Sequence, residues 1–221
     1  MDFKPLIQQT KDGSHTLFIK ELNETYHSSN GAIQEAKHVF IQNGITLIDK
    51  TQIRVLEVGF GTGLNAILTA NFSERENKQI DYVGLETVPL SLELINGLNY
   101  LTEDMELSEV DFAKIHESAW EHKQLINTNF SITKINKDVQ SFIDVIKFDI
   151  IYYDAFGPRA QNEMWDKSIF ENLFGLINKG GKLVTYCAMG QFKRDLKKIG
   201  FVVECVPGPP GKREMTIAHK E

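Results

Sequence analysis

The chain has 221 residues, 42% of them hydrophobic, enough to bury one substantial core and too few for a second full domain. Its 30 acidic against 24 basic residues give a formal net charge of -6, which excludes a protein holding nucleic acid mainly through a global positive field, so any such contact needs a local basic patch. Two cysteines, Cys187 and Cys205, lie in apolar stretches without metal spacing and read as buried free thiols; there is no signal segment and no run of roughly 20 apolar residues, so a cytoplasmic protein with no membrane partner is expected.

Residues 1–50 lack a strand–helix rhythm and are read as an N-terminal extension with a helix and a hairpin around Lys11-Asp12-Gly13-Ser14. From about residue 51 to 221 short β-branched runs alternate with helix-compatible segments. Ile53 to Val58 is a strand running into a glycine-rich turn, and Gly63 to Asn71 supplies the helix after it. Asp81 to Glu86 is a second strand, and residues 88–129 are read as a mostly helical insertion. Phe130 to Ile135 is a third strand, and the continuous apolar run Phe148 to Tyr153 is a central one, covered on both faces.

A helix is expected over Asn162 to Leu176, a strand over Lys182 to Cys187 and a basic helix over Gln191 to Ile199. Phe201 to Val206 and Glu214 to Ala218 then close the chain as an antiparallel pair. The order of elements predicts an α/β, Rossmann-like fold with a mostly parallel sheet and an antiparallel C-terminal strand.

The turn Gly59-Phe60-Gly61-Thr62-Gly63 is spaced GxGxG and preceded by Glu57. Glycines are required where a strand must turn sharply and bring its backbone against a ligand. Pyrophosphate sites use GxGxxG, and a carboxylate beside a pyrophosphate is unfavourable. An acidic residue with the tighter spacing instead suits the ammonium of S-adenosylmethionine. Glu86, 23 residues after Gly63 at a strand end, is placed to accept from both ribose hydroxyls. Asp138 is a candidate acceptor for the adenine amine, or simply a helix cap.

Ligands of open α/β sheets lie beyond the carboxyl ends of the strands, which places Asp154 at the transferable methyl group. A carboxylate there can orient an acceptor amine and take up the proton it sheds. Phe156 is a candidate for stacking on a planar ring, and Trp165 for walling the same pocket, although both also suit core packing. Arg159, Lys193, Arg194, Lys197, Lys198, Lys212 and Arg213 fall near the same face and are candidates for a phosphate-binding rim, with a solvated surface as the plain alternative.

With these segments laid out, the chain resembles the tRNA 5-methylaminomethyl-2-thiouridine methyltransferase family, the methyltransferase half of bifunctional MnmC and its stand-alone relatives. The likeness is carried by Tyr26-His27-Ser28-Ser29-Asn30-Gly31 with Glu35, by Glu57 through Asn65, by Glu86 with Pro89, by Tyr153 through Pro158 with Glu163-Met164-Trp165, and by Gly208 through Met215. The resemblance implies methylation of the primary amine of 5-aminomethyl-(2-thio)uridine at the tRNA wobble position. It assigns Asp154 to the amine, and Glu57, Gly59, Phe60, Gly61, Gly63, Asn65, Glu86 and Asp138 to the cofactor. Tyr26, Phe156, Trp165, Lys212 and Arg213 fall to the tRNA. The sequence ends at Glu221 without the FAD-dependent oxidase domain of the bifunctional enzyme, so a separate oxidase or other tRNA-modification enzyme is expected to supply the amine.

Three competing readings remain. A small-molecule amine methyltransferase suits the sequence pI of about 5.6. A nicotinamide-dependent dehydrogenase is disfavoured by the GxGxG spacing. A non-catalytic RNA-binding module is disfavoured by Asp154 and Glu86.

Overall fold

The computed structural model describes residues 4–221, so the first three residues of the N-terminal extension lie outside it. The extension opens with a small antiparallel sheet, β1 (Leu6–Gln9), β2 (His15–Ile19) and β3 (Glu24–Thr25), and the hairpin expected at residues 11–14 joins the first two. Asp12 closes that turn by accepting from the Ser14 backbone and both neighbouring hydroxyls. Helix α1 (Ala32–Ala36) follows and widens into a π-helical stretch, Lys37–Gln42.

The main sheet begins with β4 (Gln52–Val58), followed by α2 (Leu64–Glu76) and β5 (Gln79–Glu86). Helix α2 is buried from Leu64 through Ser73 because α1 and the π-helical stretch cover its outer side. After β5 the chain forms two short helices, α3 (Leu92–Asn96) and α4 (Glu109–Glu117), capped by Ser91 and Ser108, and an edge strand β6 (Lys123–Leu125). The mostly helical insertion expected here is therefore corrected. Pro89, Asn96-Gly97 and the Thr102–Asp104 turn interrupt any longer helix, and irregular chain fills the rest.

Strands β7 (Phe130–Asn136) and β8 (Phe148–Tyr153) complete the inner sheet, and every residue of β8 is buried. The helix expected over Asn162–Leu176 is split into a 3-10 turn at Asn162–Trp165 and α5 (Lys167–Leu176), the break falling at extended Asp166. Then come β9 (Ile177–Thr185), α6 (Gly190–Ile199), β10 (Val202–Pro207) and β11 (Glu214–His219).

The eight strands run in the order β10-β11-β9-β8-β4-β5-β7-β6. The inner five are parallel and β11 pairs antiparallel with both β9 and β10, as the α/β reading expects. One apolar core lies on the α1, α2 and α4 side of the sheet, the other beneath α5 and α6. Cys187 is buried as expected, but Cys205 is exposed because β10 is the outermost strand and has little covering its faces. No helix among the described residues is long and apolar enough to cross a membrane.

Candidate active site

The chain winds from β4 outward through β5 to β7, then returns to place β8 on the other flank of β4. The switch point of the sheet therefore lies between β4 and β8, where open α/β sheets bind ligands. A cavity of about 510 Å³ opens there, within the range of small-ligand sites. Strand order sets its wall: Asp138 beyond β7, Glu86 at the end of β5, the Gly59–Gly61 turn beyond β4, and Asp154 beyond β8.

Gly59 adopts φ +89°, and a Cβ there would stand 2.7 Å from the Asp154 carbonyl oxygen, so only glycine lets the two strand ends approach. Phe60, Gly61 and Asn65 also line the cavity. Gly63 does not. Its missing Cβ makes room for the His116 ring, so it packs the start of α2 against α4. Glu57 is likewise set back from the cavity, fully buried beneath α2. Alternation along β4 turns its side chain to the same face as Ile53 and Val55. Its carboxyl accepts from Asn65 Nδ2 and from the Tyr82 hydroxyl, both at 2.8 Å, and burial pushes its pKa well up.

Glu86 lines the cavity while accepting backbone N–H groups from Gly61 (2.9 Å), Thr87 (2.8 Å) and Val88 (2.9 Å). Asp138 also lines it and caps the 3-10 turn Val139–Ser141 by accepting from Gln140, so both of its expected roles are compatible. Asp154 accepts from Asn65 Nδ2 at 2.8 Å, and its own N–H bonds the Val58 carbonyl at 2.9 Å. Burial, reinforced by the charge of Glu35 and opposed by Asn65 and Lys212, pushes its pKa up to about 7.

Tyr26 and Phe156 meet edge to face, centroids 5.1 Å apart, on the cavity wall. Trp165 is not on that wall. It is buried among Tyr153, Phe170 and Phe192 and donates Nε1–H to the Phe156 carbonyl at 2.9 Å, supporting the loop from behind. Lys212 turns inward onto Glu35 and the Tyr186 ring, and Arg213 is exposed outside the cavity wall. Three of the four basic residues of α6 are occupied locally, Lys193 with Glu214, Lys198 with Asp195 and Arg194 with Gln191. They are not gathered at the cavity. Among the described residues, Lys137 is the lysine that lines it, a position sequence reasoning passed over although it directly precedes Asp138. Glu35 and Tyr186 do not line the cavity but stand behind Asp154, the first acting on its charge and the second donating to the neighbouring Ala155 carbonyl; sequence reasoning gave neither a role there.

Asn65 Oδ1 is buried on the cavity wall and has no hydrogen-bond partner. Its amide is oriented by two carboxyl acceptors, so the free oxygen suits a cationic donor such as an ammonium group. With acidic side chains along the wall and a tight glycine turn, fold and cavity together define a Rossmann-like site for a nucleoside cofactor bearing a cationic amino-acid tail.

A family model described as S-adenosyl-L-methionine-dependent methyltransferase matches residues 101–221, and the chain belongs to that family. S-adenosylmethionine is its cofactor. The chain is similar to the tRNA 5-methylaminomethyl-2-thiouridine biosynthesis bifunctional protein MnmC of Leptospira interrogans, with 30% identity over 90% of this chain and 33% of that protein. The protein of the same name from Cupriavidus necator is 28% identical over 89% of this chain and 32% of its own length. The chain thus spans about a third of the curated relatives it matches. The crystal structure of MNMC2 from Aquifex aeolicus superposes with a TM-score of 0.82 at 25% identity, covering all of this chain and 71% of that one. Spermidine synthase from Thermotoga maritima, at 11% identity and a TM-score of 0.56, shares the fold. The resemblance to the MnmC group read from the sequence motifs is borne out.

Proposed function

We propose that the chain methylates the primary amine of 5-aminomethyl-(2-thio)uridine at the wobble position of tRNA, giving the 5-methylaminomethyl nucleoside. The reading is supported by the MnmC relatives and rests on one observation: Asp154 stands at the switch point, on the cavity wall, with its pKa pushed up to about 7. When bound, S-adenosylmethionine supplies a methyl carbon on a positively charged sulfur. Asp138, Glu86 and Asn65 are proposed to hold its adenine, ribose and amino-acid parts in that order along the strand ends. Asp154 orients the amine and takes up the proton the nitrogen loses as its lone pair forms the new N–C bond, the pair of the broken S–C bond staying on the sulfur as a neutral thioether. A carboxyl that titrates near neutrality is matched to this task. Tyr26 and Phe156 form an aromatic edge for the uracil ring.

The amine substrate itself requires a preceding activity, such as an oxidase acting on a carboxymethylated precursor. The test is to incubate the protein with labelled S-adenosylmethionine and tRNA from cells lacking this modification, then digest the tRNA. Label in 5-methylaminomethyl-(2-thio)uridine, lost with Asp154→Asn, supports the proposal. Cofactor binding without tRNA labelling sinks it. A second reading, a small-molecule amine as acceptor, draws on the net charge of -6 and on the basic residues of α6 lying outside the cavity wall.

A further inference from the structure

Asp154 is coupled to a charged pair drawn from opposite ends of the chain. Glu35, on α1 and only 7% exposed, accepts from the Ser28 N–H at 2.8 Å and pairs with Lys212 Nζ at 2.5 Å. Lys212 lies in the turn between β10 and β11, and its ammonium stands 3.7 Å from the centroid of the Tyr186 ring. Tyr186, just beyond β9, donates its hydroxyl to the Ala155 carbonyl at 2.8 Å. The chain of contacts therefore ends on the residue next to Asp154. With Glu35 buried and Lys212 half-buried, the pair is weak as a stabilising device, since the cost of taking the charges out of water offsets much of their attraction.

We propose that Glu35 and Lys212 are positioning residues for Asp154: through Tyr186 they hold the Asp154–Phe156 loop, and together they set the charge Asp154 carries when the amine arrives. This rests on the reading of Asp154 as the proton acceptor. Glu35 favours the protonated form and Lys212 the ionised one, so removing either has an opposite effect on the same carboxyl. The other groups facing Asp154 are Glu57 from β4, Asn65 from α2, Tyr82 from β5 and Tyr186. None of them changes sign between the two substitutions. His27, held neutral by burial with a pKa of about 4, adds no charge near pH 7.

The experiment follows Asp154 directly, by carbon NMR of the full-length protein carrying carboxyl-labelled aspartate, with its resonance assigned by Asp154→Asn. The pH dependence of methyl transfer to tRNA at saturating S-adenosylmethionine is measured beside it. Glu35→Gln, which keeps an acceptor for Ser28, is expected to lower the titration midpoint and the acidic limb of the rate by about one pH unit. Lys212→Met is expected to raise both by a similar amount, and Lys212→Arg to restore the wild-type midpoint. Midpoints unchanged in folded Glu35→Gln and Lys212→Met proteins would overturn the proposal, since a pair that acted on Asp154 would have to move them in opposite directions. If Lys212→Met does not fold, Glu35→Gln alone decides the outcome. If the wild type labels no tRNA, the acceptor reading falls while the NMR titration still decides this one.

Discussion

Asn65 donates its side-chain amide to Asp154 at 2.8 Å, and the same nitrogen reaches Glu57 at 2.8 Å. One amide thus bridges carboxyl groups at the ends of two neighbouring parallel strands, Glu57 in β4 and Asp154 just beyond β8, and its own oxygen is buried and unpaired. Replacing Asn65 with Leu removes both donor contacts and the free acceptor. The hydrogen bond that the free oxygen would accept from a cationic ammonium is worth about 1.5–3 kcal/mol. S-adenosylmethionine affinity is expected to fall at least about tenfold by isothermal titration calorimetry. Asn65→Asp should fall further, because three carboxyl groups would then share one buried site. An unchanged Kd in both variants would remove Asn65 from the cofactor site.

The raised pKa of Asp154 links function to stability. Its folded value of about 7 stands against an ordinary 3.8. Between those values the folded protein keeps a proton that the unfolded chain has lost. The contribution of this group to stability is therefore full below about pH 4 and declines as pH rises to about 7. Asn carries no charge at any pH. Asp154→Asn should therefore be more stable than wild type near pH 8, by about 1–2 kcal/mol once water in the cavity is allowed for, and the gain should vanish near pH 4. Methyl transfer should drop by about 10²–10⁴-fold. Thermal melts at the two pH values and single-turnover rates check both halves, and equal melting curves at pH 8 would show that Asp154 is not strained by ionisation.

The strand ends were legible because parallel strands covered on both faces read as continuous apolar runs, and because Glu86 and Asp154 interrupt such runs with charge. The direction in which a side chain points was less accessible. Glu57 was assigned to the cofactor by its position before the glycine turn, yet the pleat of β4 sends it beneath α2 instead. Lys212 was assigned to phosphate by its charge, yet its partner Glu35 lies 177 positions away and only the folded chain brings them together. Trp165 was placed on the pocket wall by proximity in sequence to Phe156, and the break before α5 turns it into the core. Local patterns therefore pointed to the strand ends that line the candidate cavity, while long-range contacts decided which of their neighbours reach it.

Glu86 binds three backbone N–H groups with one carboxylate, leaving room for further donors from the cavity. Its proposed role at the ribose predicts a specific thermodynamic coupling. Glu86→Ala should weaken S-adenosylmethionine binding about 10–100-fold. An S-adenosylmethionine analogue lacking the ribose hydroxyls should bind the wild type comparably weakly, and the variant little worse than that. Independent, additive losses in this double cycle would place the ribose elsewhere.

Gly59 and Gly180 share a positive φ, +89° and +80°, but differ in what surrounds them. A Cβ on Gly180 meets nothing within 4 Å, whereas one on Gly59 would stand 2.7 Å from the Asp154 carbonyl oxygen. Alanine at either position carries the left-handed strain of an L-residue, about 1–2 kcal/mol. At Gly59 the contact is with backbone, so it can be relieved only by shifting the loop that carries Asp154. Both variants should melt earlier, but Gly59→Ala alone should lose kcat at saturating S-adenosylmethionine, by about tenfold or more, since small displacements of a reacting geometry are costly. If Gly59→Ala kept its kcat while losing stability as Gly180→Ala does, the approach of the two strand ends would be a packing feature and not what places Asp154.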